Sequence, residues 1–479
     1  MKIKLNGKER LIDEKDSSIT GLLKVANVEN PQMVSVQLNG EFVDKSKFDK
    51  VHLKEADHLD FLYFMGGGSR LKLITKILHT KFLKDDPHGS LHMPVYDNVT
   101  FEFKSAEDLE LAFAGRKPSH MYSRISNPTV EHLEQKIKVL SDATGVLALS
   151  SGMAAISNTI LAIARTGDNI ITSKHLFGNT FSLFEQTLKD WGLETRYTDL
   201  TNPQEVEKLV NEKTRAIFLE TITNPQLEVA DIGALSVIAR KRGILLIADT
   251  TMTPPYLFSA KEFGVDIEVI SSTKWISGGA TSVGGLIIDY GTYDWKKSAK
   301  LNKDAIKYGP FAFINRLRRE VYRNIGACMS PHNAYLQSLG LETLPLRLDA
   351  ACVNTQKLAE FLKKTKQVKN VNYPGLKGST FYKIARKQFG EKPGAVLTFD
   401  LESKSECFKF LNNLKLIRRA TNLQDNRSLV LHPASTIFCE YSGQLKKEMG
   451  VPETLIRLAV GIEDYRDLIV DIKQALEAI

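Results

Sequence analysis

Two ionisable residues stand where apolar runs end. Lys274 follows Val265-Asp266-Ile267-Glu268-Val269-Ile270 and closes Ser271-Ser272-Thr273-Lys274, with Trp275-Ile276-Ser277-Gly278-Gly279 behind it. Asp249 ends an earlier run, Gly243-Ile244-Leu245-Leu246-Ile247-Ala248. A lysine met at random is most often a solvated surface group, but this one is delivered by a strand-like run among hydroxyls and glycines. In open α/β sheets the carboxyl ends of strands are where ligands bind. An amine for a Schiff base and a carboxylate for a pyridinium nitrogen are together what pyridoxal phosphate requires.

Other groups suit an anionic ligand of amino-acid size. A run at 146–149 turns through Ser150-Ser151-Gly152-Met153 into an alanine-rich helix expected over 154–164, and free amides at a helix N-terminus seat a phosphate. Arg457 lies in the otherwise apolar stretch 455–460. A buried arginine is costly unless paired, and either a neighbouring carboxylate or a ligand's carboxylate would satisfy it. The cysteines, Cys328, Cys352, Cys407 and Cys439, are scattered and form no CxxC. That argues against a zinc site and a disulfide framework, so no metal is expected, and it suits a reducing cytoplasm.

These groups need a scaffold. Runs at 169–172, 215–219, 244–249 and 267–271 alternate with helical patterns, which predicts an α/β fold with a mostly parallel, doubly wound sheet. Beyond about residue 325 the texture changes to long helical patterns, around 333–344 and 350–364, then a β-rich segment at 394–400. A smaller α+β domain is expected there. Residues 1–68 read as a separate small domain with the order ββαββ, built on the turn signals Asn6-Gly7 and Asn39-Gly40. The expected division is therefore 1–68, then 69–325 as an arm plus a large cofactor-binding domain, then 326–479.

The 479 residues carry a formal charge of +8. Residues 1–68 are nearly balanced, so the basic excess lies beyond them and is concentrated in part at 296–323. No nucleic-acid motif accompanies that cluster, which reads as a solvated face or a basic rim around an anionic ligand. The N-terminus has no secretory apolar region. No apolar stretch approaches the roughly 20 residues of a membrane span.

The first 68 residues resemble the ubiquitin-like sulfur carriers of thiamin and molybdopterin synthesis. The resemblance rests on the Asn-Gly hairpin, on Val34-Ser35-Val36-Gln37-Leu38-Asn39-Gly40 and on Gly66-Gly67-Gly68. It implies a β-grasp fold. In such carriers the terminal glycine carboxylate is activated and converted to a thiocarboxylate, but here the chain continues into Ser69-Arg70. Two readings stay open: a carrier released by a protease and served by an activating enzyme, or an inert docking relic whose glycines are a linker.

Residues 70–479 resemble the cystathionine γ-synthase-like pyridoxal phosphate enzymes. The shared landmarks are Tyr122-Ser-Arg-x-x-Asn-Pro-Thr129, Ser150-Ser-Gly-Met-Ala-Ala155, Glu220-Thr-Ile-Thr-Asn-Pro225 and Asp249-Thr-Thr-Met-Thr-Pro-Pro255. Ser271-Ser-Thr-Lys274, His432-Pro-Ala-Ser-Thr436 and Arg457-Leu-Ala-Val-Gly-Ile-Glu-Asp464 complete them. The resemblance implies the aminotransferase type I fold and a set of roles. Lys274 would hold the cofactor and act as the base, and Asp249 would pair with the pyridinium. Ser151, Gly152, Met153, Ser271 and Thr273 would hold the phosphate, joined by Tyr122 and Arg124 from a partner subunit in a dimer or tetramer. Arg457 would clamp the α-carboxylate of the amino acid substrate, with Asn224 and the Ser428 region completing that pocket.

One position departs from the family. Most relatives stack a tyrosine on the cofactor ring, whereas Phe177 stands here, in His175-Leu176-Phe177-Gly178-Asn179-Thr180. It can stack but has no hydroxyl, which leaves more acid–base work to Lys274. Within the family, residues 325–350, the basic insertion that precedes them and Ile417-Arg418-Arg419-Ala420-Thr421-Asn422 resemble the O-acetylhomoserine sulfhydrylase branch. Methionine-degrading relatives often carry a cysteine where Asn179 stands. The resemblance thus implies replacement of the acyloxy group of an O-acylhomoserine by sulfur, giving homocysteine. The alternatives are a methionine or cystathionine γ-lyase, and a carrier or scaffold whose enzyme half is inactive.

Overall fold

The computed structural model describes residues 1–479 except 14, 15, 27, 29, 30, 32, 33, 64–70, 84 and 85. The glycine run Gly66–Gly68 thus lies outside the described residues. Two compact units are present: Met1–Leu71 with Asp294–Arg316, and Lys72–Tyr293 with Leu317–Ile479.

In the first unit, β1 (Lys2–Leu5), β2 (Lys8–Leu11), β3 (Val34–Leu38), β4 (Glu41–Val43) and β5 (His58–Tyr63) form one sheet in the order β2-β1-β5-β3-β4. Strand β1 pairs parallel with β5, and the other pairings are antiparallel. Alternation in β1 buries Ile3 and Leu5. They join Val34, Val36 and Leu59 in a core with Ile19, Leu22 and Leu23 of the helix Ile19–Val25. Ser18 caps that helix, its hydroxyl accepting from the amide of Gly21 at 3.0 Å. The short strand β4 is additional to the expected ββαββ order. It follows Asn39 and Gly40, both at positive φ, the geometry of a type I′ hairpin.

In the second unit the main sheet runs β6-β12-β11-β10-β9-β7-β8. Its members are β6 (Gly145–Leu149), β7 (Asn169–Thr172), β8 (Glu194–Tyr197), β9 (Thr214–Glu220), β10 (Leu245–Asp249), β11 (Ile267–Ile270) and β12 (Gly285–Asp289). Strands β8 to β7, β7 to β9, β9 to β10 and β10 to β11 are parallel, while β12 is antiparallel to both of its neighbours. The connection from β11 to β12 holds one short 3-10 turn, Trp275–Ser277, and no crossover helix. A parallel return needs such a crossover, so the strand reverses. A second sheet, β13 (Asn370–Asn372), β14 (Val396–Asp400), β15 (Arg418–Arg419), β16 (Leu429–Leu431) and β17 (Leu455–Ala459), runs β13-β14-β17-β16-β15. The helical patterns near 333 and 350 are the helices Pro331–Glu342 and Leu344–Leu362.

Candidate active site

Strands β9, β10 and β11 end at one edge, with Asp249 paired in register to Glu220 on one side and Val269 on the other. The apolar runs hold the strands in place and leave Glu220 and Asp249 at the ends of β9 and β10, in the lining of one cavity. At that edge a cavity of about 420 Å³ is lined by Lys274, Asp249, Glu220, Arg457, Phe177 and Asn224, and by Ser151, Gly152, Met153, Ser271 and Thr273. All of these except Glu220 were expected site residues, and the fold brings them together.

Lys274 donates to Asn422 Oδ1 at 2.5 Å. Burial, and after it the Arg457 cation, lowers its amine to about 8. Asp249 accepts from the Thr251 amide at 2.9 Å. Burial raises its carboxyl, with the Thr251 hydrogen bonds opposing. Glu220 accepts from the amides of Phe177 at 2.6 Å and Asn224 at 3.1 Å. Burial and then the Asp249 charge push it well above the carboxylate range. Behind them, burial raises Glu268 to about 7, although hydrogen bonds from Thr250 and Tyr290 favour its anion.

Arg457 is 2% exposed. Its Nη1 donates to Asn224 Oδ1 at 3.1 Å, and its Nη2 to the carbonyls of Thr421 and Asn422 at 3.2 and 3.0 Å. Its Nε has no hydrogen-bond partner among the described residues. A buried donor left unpaired is costly, and no carboxylate of the chain is bonded to this guanidinium among the described residues.

At the other end of the cavity, Ser151 caps the helix Gly152–Ile163 by accepting from the Ala154 amide at 3.1 Å. The first amides of such a helix lack partners within it. A Cβ on Gly152 would lie 2.6 Å from Ser271 Cβ, so only glycine lets this backbone approach the Ser271 hydroxyl. Amides and hydroxyls, a carboxylate and a buried amine in the lining of one cavity fit pyridoxal phosphate.

Three expected residues stand apart from this lining. The Ser428 hydroxyl donates to Glu463 at 2.9 Å and accepts from the Gly461 amide at 2.9 Å. Tyr122 is 39% exposed, and the Arg124 guanidinium lies over its ring at 5.4 Å and donates to the Arg323 carbonyl at 2.6 Å. Two lining residues, Glu220 and Asn422, carried no expected role. Glu220 ends an apolar run as Asp249 does, and that pattern was the available signal. Nothing local marks Asn422, which is 148 positions from Lys274.

The fold and the cavity define a pyridoxal phosphate enzyme of the aminotransferase type I fold. The profile of the Cys/Met metabolism PLP-dependent enzymes matches residues 74–477, and that of the ThiS family matches residues 3–68. The O-acetyl-L-homoserine sulfhydrylase 1 of Thermus thermophilus is 37% identical over 420 residues, covering 85% of this chain and 100% of its own. The L-methionine gamma-lyase of Pseudomonas putida is 36% identical over 417 residues, covering 86% and 100%. A solved O-acetylhomoserine sulfhydrylase from Wolinella succinogenes is 51% identical, covers 74% of this chain and 99% of its own, and superposes with a TM-score of 0.67. A putative O-acetylhomoserine (thiol)-lyase from Campylobacter jejuni, solved with a pyridoxyl-lysine monophosphate, is 31% identical, covers 85% and 100%, and has a TM-score of 0.79. The chain belongs to the Cys/Met metabolism PLP-dependent enzymes, with a ThiS-family β-grasp domain at its N-terminal end.

Proposed function

We propose that the chain exchanges the acyloxy group of an O-acylhomoserine, O-acetyl-L-homoserine foremost, for sulfur, giving L-homocysteine for methionine synthesis. The donor would be sulfide, or a carrier-borne thiocarboxylate whose acyl–sulfur bond water hydrolyses, returning the carrier carboxylate and leaving the sulfur on homocysteine. The observation that carries this reading is the joint presence of Lys274, Asp249 and Arg457 in one cavity, in a chain similar to O-acetylhomoserine sulfhydrylases.

Arg457, with Asn224 beside it, holds the substrate α-carboxylate and so fixes the direction of the Cα–H bond. Bound pyridoxal phosphate supplies the electron sink that acidifies that bond. Lys274 takes the α proton and then a β proton, its neutral amine favoured by burial. At Cγ the C–O bond breaks with its electron pair leaving on acetate, and a C–S bond forms at the same carbon. Lys274 returns the protons. Asp249 keeps a negative charge against the pyridinium nitrogen. Ser151, Gly152, Met153, Ser271 and Thr273 hold the phosphate, and Glu220 fixes the backbone of Phe177 and Asn224.

Tyr122 and Arg124 complete the phosphate seat of a partner subunit, in a homodimer or homotetramer. Their exposure and their distance from the lining of their own cavity support this. The division is placed at 68 and 325, with 294–316 an insertion that packs in one unit with the N-terminal strands, and the enzyme is placed in the cytoplasm. Among the described residues no helix is long and apolar enough to cross a membrane, and the cysteines are free thiols.

The test is a product assay with O-acetyl- and O-succinylhomoserine, each with and without sulfide. Homocysteine formed only with sulfide supports the transfer. Release of α-ketobutyrate from methionine or cystathionine at a comparable rate would favour the γ-lyase reading, which the similarity to L-methionine gamma-lyases raises. Loss of the visible absorbance of the lysine-bound cofactor in Lys274→Ala tests the residue itself, and its absence from the native protein would support the scaffold reading.

A further inference from the structure

The basic segment 294–316 is not a free helical face: it forms one compact unit with the β-grasp strands. It has its own small core, in which Trp295 stacks on Phe313 at 5.1 Å and 7°, with Leu301, Ala305 and Ala312 buried. Its helix, Asn302–Tyr308, packs on β4.

Among the described residues, strand β4 is the outer strand of its sheet, paired only with β3. An outer strand offers unpaired backbone groups, and folded proteins cover or blunt such edges. Here the Phe42 ring of β4 stacks on Phe311, with centroids 6.1 Å apart and planes at 30°. Gly309, at φ +54°, brings the turn under that ring, so that a Cβ there would lie 3.7 Å from it. Phe42 is half-buried and lies outside the domain's own core. One pair of opposite charges, Asp44 and Lys296, also lies across the contact. Glu41 and Asp44 flank Phe42, and the segment carries Lys296, Lys297, Lys300, Lys303 and Lys307. After its hydrogen bonds with Ser46, Lys296 is among the groups that favour the Asp44 carboxylate.

We propose that 294–316 is a docking element for a β-grasp domain, seating Phe42 on Phe311 beside a lysine-rich helix, and that its occupant is this chain's own N-terminal domain. The domain is then held by a surface of the chain. This rests on the contacts and is independent of the reaction proposed above.

The test is hydrogen–deuterium exchange of the full chain. Phe42→Ala should raise amide exchange in Asn302–Tyr308 and through Phe313 several-fold, leaving Gly285–Asp289 unchanged, and Phe42→Trp should restore protection. Phe311→Ala should raise exchange at Glu41–Val43 and Lys45–Lys47 while Lys2–Leu5 and Ile19–Val25 stay protected. If Phe42→Ala loosens the whole small domain, the Phe311→Ala result decides alone. Unchanged exchange at 41–47 in Phe311→Ala, or at 302–313 in a folded Phe42→Ala protein, would overturn the proposal.

Discussion

Lys274 shows how burial prepares an amine for chemistry. An ordinary lysine at pH 8 is almost wholly protonated, whereas an amine at about 8 is half neutral there. Only the neutral form attacks an aldehyde. The rate at which apoenzyme captures pyridoxal phosphate should therefore rise with pH through about 8 and level off above it, followed by visible absorbance. A rate flat from pH 7 to 9 would contradict the assignment. Glu220 makes a second prediction at this scale. Its carboxyl accepts from the part-buried Phe177 amide and the buried Asn224 amide, and a buried amide left without a partner costs about 1–3 kcal/mol, a part-buried one less. Glu220→Ala should lower unfolding stability by about 2–4 kcal/mol in denaturant melts. Glu220→Gln, which keeps one acceptor oxygen, should lose less. Arg457→Lys keeps the charge but not the planar fork. It should raise KM for O-acetylhomoserine by about tenfold or more, worth ~1.4 kcal/mol.

At the scale of elements, what matters is that strands end together and one helix begins beside them. In-register pairing sets Asp249 beside Glu220, and the connection after β11 carries Ser271, Thr273 and Lys274 into the same edge. The turn from β6 into the helix Gly152–Ile163 approaches Ser271 so closely that Gly152→Ala must push it away. Cofactor affinity, measured by equilibrium titration of the apoenzyme, should weaken at least tenfold, about 1.4 kcal/mol. Far-ultraviolet circular dichroism should stay unchanged. Full affinity in that variant would remove the phosphate from this turn.

The whole molecule raises a question that one chain cannot answer by itself: where Tyr122 and Arg124 act. If they serve a neighbour's cavity, Lys274→Ala and Arg124→Ala chains expressed together should complement. A randomly mixed dimer population would recover roughly a quarter of wild-type activity, whereas separately purified variants mixed without exchange would stay inactive. No recovery would return Arg124 to a structural role, consistent with its bond to the Arg323 carbonyl.

Much of this was legible in the chain. Lys274, Asp249 and Gly152 are readable because a strand or helix end is a local event, marked by an apolar run and then a polar or glycine residue. Five of the seven strands of the main sheet follow from the same local signal; β8 and β12 were not among the expected runs, and β12 reverses because its connection is too short for a crossover helix. The partner of Lys274 was not legible: Asn422 reaches it across 148 positions, a distance over which no periodicity carries information. Asn224, which reaches Arg457 across 233 positions, was expected there only through the family resemblance. Ser428 carries a hydroxyl like any other, and only the folded chain shows it bonded to Glu463. The sequence by itself determined which residues could do the chemistry and the elements that end on them. The tertiary structure decided which of them share a cavity, what shifts the Lys274 amine, and that a basic segment near 300 covers the edge of a β-grasp sheet, because burial and long-range contact exist only once the chain has folded.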